Sequence, residues 1–97
     1  MYGTVARFHI KPGMEGQLVE QFRTFEAANV PGVVASYLYS MDADVNGYYV
    51  SVVFASREAY WANAQSPEQD ARFRQLLPLL VTEPEWHDGE IIYALHR

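Results

Sequence analysis

A hydrophobic period that switches from two to 3.6 and back, twice over, predicts an α+β protein with the element order βαββαβ. Proline, glycine and asparagine fall at the points where the period changes, and no internal repeat or low-complexity tract interrupts the order. Two right-handed βαβ crossovers of this order give the ferredoxin-like arrangement: a four-stranded antiparallel sheet with its helices on one face. The 97 residues suffice for a single domain spanning 1–97, and the 49% apolar content supports a core without covalent staples.

The first strand is predicted over residues 2–10, with Tyr2, Thr4, Ala6, Phe8 and Ile10 on one face and Val5, Arg7 and His9 on the other. "KPG" at 11–13 stops it. Over 14–28 Leu18, Phe22 and Phe25 recur at helical spacing, and "NVPG" at 29–32 ends that helix. Alternation returns over 33–41, setting Val33, Ala35, Tyr37 and Tyr39 against Val34, Ser36 and Leu38. "DADVNG" at 42–47 is a hairpin connection. In the third strand Tyr48, Val50, Val52 and Phe54 oppose Tyr49, Ser51 and Val53.

Ser56 is placed to cap a second helix, "SREAYWANAQ", and Ser66-Pro67 interrupts it because a residue before proline resists the helical region. The pattern predicts that helix resumes over 69–77, with Phe73, Leu76, Leu77 and Leu80 on one stripe and Pro78 at its end. The last strand is predicted over 89–97.

A sheet covered by helices on one side only should be polar on the other. Here both faces are apolar, since Tyr49, Val53 and Tyr37 or Tyr39 fall on the uncovered side. A second copy packed sheet to sheet covers such a patch, which predicts a homodimer. Arg7 and His9 share that face, where bridging between subunits is favoured over binding a substrate.

The absence of cysteine excludes disulfides, zinc–cysteine sites and thiol nucleophiles. A net charge of −5 and a pI near 5.0 exclude the electrostatic footprint of a nucleic-acid or anionic-membrane binder. The opening "MYGTVARFHI" lacks the pattern of a secretory leader, and no stretch approaches the roughly 20 apolar residues of a membrane span, so a cytoplasmic protein is expected. No G-x-G-x-x-G nucleotide motif occurs.

The stretch "EPEWHDGE" at 83–90 packs four carboxylates, a tryptophan and a histidine into eight positions. It has no paired histidines and no helical i, i+4 ligand spacing, so it reads as a polar connection rather than a metal site. Trp86 would then cap one end of the core, and antiparallel pairing of the last strand with the first would bring Glu90 towards His9. His96 reads as a strand-end residue.

"PG" entering and leaving the first helix, "SREAYWANAQSPE" and "EPEWHDGE" together resemble the antibiotic biosynthesis monooxygenase-like domains of the dimeric α/β-barrel superfamily. The resemblance runs along nearly the whole chain and rests on short structural motifs. It implies a homodimer whose sheets form a barrel, each subunit holding an apolar pocket between its own sheet and helices. Relatives of this kind include cofactor-free oxygenases of anthrones, quinol oxygenases and haem-degrading enzymes. The haem-degrading pattern falls on Ala6, Asn63 and Phe73, which supply neither its hydrogen-bonding asparagine, nor its tryptophan, nor its iron-binding histidine, so that branch is disfavoured.

The resemblance implies, as the expected function, a cofactor-independent monooxygenase of a small aromatic, anthrone- or quinol-like, needing no cofactor or metal. The alternative is a non-catalytic dimeric domain that binds a small hydrophobic ligand. Acid–base isomerisation or cyclisation would need a histidine or carboxylate in the cavity, and none is assigned there. The expected pocket is lined by Phe8, Phe22, Tyr48, Val50, Val52, Phe54 and Phe73, with Asn63 as its polar group and best catalytic candidate. Trp61 lies about 200° around the helix from Asn63 and is set aside as a flanking aromatic.

Overall fold

The computed structural model describes all residues, Met1–Arg97. Its elements are β1 (Tyr2–His9), α1 (Glu15–Ala27), β2 (Val33–Ser40), β3 (Gly47–Phe54), α2 (Arg57–Ala64), α3 (Pro67–Leu76), a short 3-10 turn (Leu77–Leu79) and β4 (Glu85–Glu90). The sheet is four-stranded in the order β2-β3-β1-β4, and the β1–β3, β2–β3 and β1–β4 pairs are all antiparallel. This is the ferredoxin-like α+β fold that the sequence predicts.

Alternation along β1 does what its sequence demands. Thr4, Ala6, Phe8 and Ile10 are buried, while Val5 and Arg7 are exposed. With Leu18, Tyr48, Val50 and Leu80 these apolar residues make one core cluster on the helix side of the sheet. Cross-strand partners share a face, so Leu38 joins that side through Val50. A register shift between Val33 and Ala35 places an extra residue in β2. Val33 therefore sits opposite buried Phe54, on the helix side, and not with Ala35, Tyr37 and Tyr39 as strict alternation predicts.

The largest correction concerns the C-terminal strand. "EWHDGE" is β4 itself, and residues 91–97 lie beyond it in no strand. The register explains why. Tyr2 pairs with Glu90, and the Ile91 amide donates to the Met1 carbonyl, so the chain then runs past the end of β1 and has no further strand to pair with. Ile92, Tyr93 and Leu95 are left exposed. The carboxylates that made 83–90 read as a connection are the charged residues of an edge strand. Glu90 consequently lies far along β4 from His9, whose Nε2 instead meets Asp44 Oδ2 at 2.6 Å. That contact, with the Asn46 amide, holds the Asp44 carboxyl below its ordinary value.

Serine caps begin both halves of the second helical region: Ser56 Oγ accepts from the Ala59 amide and Ser66 Oγ from the Gln69 amide, each at 3.1 Å. Pro67 takes the first position of α3, where its missing N–H costs nothing. α2 and α3 are thus separate helices. No helix is long and apolar enough to cross a membrane.

Gly32 joins α1 to β2 at φ +84°, and a Cβ there would lie 2.5 Å from the Ala59 Cβ on α2. Gly32→Ala is expected to destabilise by roughly 1–3 kcal/mol from backbone strain, before the clash is counted. Gly16, in the exposed side of α1 with nothing near its Cβ position, should behave oppositely. Gly16→Ala is expected to stabilise by roughly 0.5–1 kcal/mol. Thermal denaturation of the two variants beside the parent checks both signs.

Candidate functional site

A cavity of about 440 Å³ lies between the sheet and the helices, and 11 of its 19 lining residues are hydrophobic. β1 and β3 supply its floor through Thr4, Phe8, Val50, Val52 and Phe54. Phe22 and Phe25 come from α1, and Phe73 and Leu76 from α3. Each of these positions follows from the alternation or helical stripe that faces the core. Of the residues expected in the pocket, Phe8, Phe22, Val50, Val52, Phe54, Asn63 and Phe73 line this cavity.

Tyr48 does not. Its ring stacks on Phe8 with centroids 6.1 Å apart, and its hydroxyl donates to Glu15 Oε1 at 2.5 Å, at the start of α1. Burial, followed by the Glu15 hydrogen bond, pushes the Tyr48 phenol up to about 12. Tyr48 belongs to the closed end of the core.

Two polar groups of residues interrupt the apolar lining. In the first, Tyr60 Oη donates to Asp88 Oδ1 at 2.7 Å. The Tyr60 ring is fixed by Tyr2 at 5.3 Å, by Phe54 edge-on at 5.4 Å and by Trp61 at 5.3 Å. Burial raises the Tyr60 phenol well above its ordinary value, and the Asp88 hydrogen bond adds to the effect. Tyr60 therefore stays protonated at neutral pH and works as a donor. Asp88 faces the helices because β4 sets Trp86 opposite buried Ala6 and Asp88 opposite buried Thr4. Pro84, Trp86 and Asp88 all line the cavity, so the stretch read as structural contributes three lining residues. Trp86 lies beside the cavity rather than capping the core.

The second group spans the break between α2 and α3. Asn63 Nδ2 donates to Gln69 Oε1 at 3.3 Å, and Asn63 Oδ1 accepts from Arg72 Nη2 at 3.0 Å. Arg72 also donates to Gln69 Oε1 from Nε at 3.2 Å and from Nη2 at 3.0 Å. Asn63 lines the cavity, with its amide committed to Gln69 and Arg72. Sequence reasoning missed Tyr60, Gln69, Arg72 and Asp88. Helical spacing was enough for three of them: Tyr60 lies three residues before Asn63, Gln69 four before Phe73 and Arg72 four before Leu76.

The matches to known proteins agree with this architecture. The family model described as antibiotic biosynthesis monooxygenase matches residues 1–75. The chain belongs to the antibiotic biosynthesis monooxygenase family. Among solved structures, SnoaB from Streptomyces nogalater, described as a cofactor-independent oxygenase, superposes with a TM-score of 0.83 in a mutant form at 20% identity, covering 99% of this chain and 97% of that one. A Deinococcus radiodurans protein described as an antibiotic biosynthesis monooxygenase superposes at 0.82 with 12% identity over 100% and 98% of the two chains. One from Caulobacter crescentus does so at 0.81 with 20% identity over 95% and 90%. At these identities the likeness establishes the shared fold. No curated protein matches the sequence.

The raised Tyr60 phenol has a consequence for alkaline stability. The native state keeps the proton that the unfolded chain loses near the ordinary tyrosine value of 10.0, so stability is full below that pH and falls as pH rises above it. Tyr48 acts in the same direction. Ultraviolet difference titration should show two phenols, Tyr48 and Tyr60, ionising only with alkaline unfolding, and Tyr60→Phe should remove one of them.

Proposed function

We propose that this protein is a cofactor-independent monooxygenase of a small aromatic substrate of the anthrone or quinol type. The observation that carries the reading is the cavity: largely apolar, of a volume within the range of small-molecule sites, and furnished with a donor–acceptor pair on one wall. Phe22, Phe54 and Phe73 border that space without filling it, which disfavours a domain that merely assembles. Membership of the monooxygenase family and the fold shared with SnoaB support the same reading.

The chemistry asks little of the protein. An anthrone CH₂ loses a proton, the resulting anion gives its electrons to dioxygen, and the peroxide formed loses water to leave a quinone carbonyl. One oxygen atom enters the product and the other leaves in water. Asp88 is the proposed proton acceptor, since Oδ1 takes the Tyr60 hydrogen bond and Oδ2 is free to accept from substrate. Tyr60, protonated and held rigid, is the proposed donor to the peroxide, its one O–H turning from Asp88 once that carboxyl has taken the substrate proton. Asn63 acts at one remove, as a positioning residue for Arg72.

The active assembly proposed is a homodimer formed through the open sheet face. Only 11 of 97 residues are buried in the isolated chain, which leaves the apolar surface poorly covered. Val5, Tyr37, Tyr39 and Tyr49 are exposed, and alternation with the buried positions of β1 and β3 puts them all on that open face. The apolar stretch 91–97, with no partner strand of its own, is a second surface that the other copy would cover.

Oxygen uptake with anthrones and quinols tests the chemistry. Wild type should exceed the protein-free rate, and Tyr60→Phe and Asp88→Asn should each lower kcat by about 10²–10⁴-fold if they act in proton transfer. Uptake at the protein-free rate across the panel, from a protein that binds those aromatics, would move the function to ligand binding. Light scattering of wild type should give twice the chain mass, and Tyr39→Asp should shift it towards monomer.

A further inference from the structure

The cavity holds one cation, Arg72, and the structure gives that cation no carboxylate. The ion pairs of the chain are His9–Asp44, Arg23–Glu20, Arg74–Asp70 and His87–Glu85, and Arg72 is in none of them. Its partners are the amide oxygens of Asn63 and Gln69. Neutral acceptors orient a guanidinium without cancelling its charge. The group is further fixed over the Phe25 ring, 5.5 Å from the centroid. Nε and Nη2 are committed to these contacts, while Nη1 donates to no protein atom.

The two carboxylates that line the same cavity, Asp70 and Asp88, make no hydrogen bond or ion pair with it. Asp70 pairs with Arg74 at 3.0 Å, and Asp88 accepts from Tyr60. A chain of net charge −5 has kept an arginine with no ion-pair partner beside a largely apolar space, and two side-chain amides aim it. Solvation alone would favour an exposed side chain, as Arg23 and Arg74 have on their helix surfaces.

We infer that Arg72 is the anchor for an ionised carboxylate carried by the aromatic ligand, with Asn63 and Gln69 as its positioning residues. A carboxylate is chosen over a phenol because it is already ionised at neutral pH, whereas a phenol with an ordinary value near 10 is not. An arginine–carboxylate hydrogen bond in a partly desolvated site is among the stronger polar contacts available to a ligand. The inference rests on the cavity being the substrate site, and narrows the substrate class from small aromatics to aromatic acids.

Calorimetric titration with 2-naphthoate and with its methyl ester tests this, at neutral pH and at two salt concentrations. Wild type should bind the acid at least about tenfold more tightly than the ester, and added salt should weaken the acid alone. Arg72→Gln should remove the preference while leaving ester affinity within about twofold, whereas Arg23→Gln, of equal charge change, should alter neither. Arg72→Lys keeps the charge without the fork and should retain part of the preference. Equal affinity for acid and ester in wild type would overturn the inference, as would equal weakening of both by Arg72→Gln, or no binding of either at millimolar concentration. The salt response of wild type decides the matter if Arg72→Gln does not fold. Oxygen uptake is a separate readout: an Arg72-dependent acid preference without turnover retains the anchor and removes the oxygenase. Turnover of neutral anthrones without that preference does the reverse.

Discussion

The break at Ser66-Pro67 is the constraint on which the site depends. A continuous helix over 57–76 would carry Gln69 and Arg72 away from Asn63 along a single axis, at about 1.5 Å per residue. Pro67 prevents that, because it cannot donate to the preceding turn, and Ser66 makes the interruption stable by capping the new helix while donating to the Asn63 carbonyl at 2.7 Å. The last turn of α2 then faces the first two turns of α3. Asn63, Gln69 and Arg72 meet across the angle, and the cavity lies beneath the two short helices.

The edge position of β4 is the second constraint. An edge strand pairs on one side only, so it tolerates charged residues that a central strand would reject. β4 uses this freedom to place a tryptophan and an aspartate on the covered face, beside the Tyr60 hydroxyl, while Glu85 and His87 pair with each other at 2.7 Å on the other. The cavity therefore acquires a carboxylate next to a phenol that burial and the Asp88 hydrogen bond keep protonated at neutral pH. It acquires a guanidinium held by neutral amides elsewhere on its wall. One group suits proton transfer, the other holds a charge in place.

Much of this was legible in the sequence, and the reasons differ by element. β1, α1 and β3 declare themselves because one periodicity runs unbroken through each, and their apolar faces line the cavity as the spacing predicts. The caps at Ser56 and Ser66 are equally plain, since capping is local chemistry. β4 was obscured because its residues are polar on both faces, whereas the apolar alternation of 91–97 imitates a strand that β1 is too short to pair. Register decides between them, and register is a property of two strands. The same holds for Val33, whose face depends on an extra residue in β2. Asn63 was found as a polar residue of α2 near the cavity, but its contacts with Gln69 and Arg72 lie across a helix break and have no signature in either helix alone. Tyr48 was misplaced because alternation assigns a face and is silent about position along the strand.

A crystal structure of the protein with bound 2-naphthoate tests the central claim, that short helices over this sheet hold open a preformed site for an aromatic acid. The ring should lie among Phe22, Val52 and Phe73 with its carboxylate at Arg72 Nη1, and the Asn63–Gln69–Arg72 hydrogen bonds should be unchanged from the unliganded protein. A cavity filled by Phe22 and Phe73, with the naphthoate elsewhere on the surface, would contradict it.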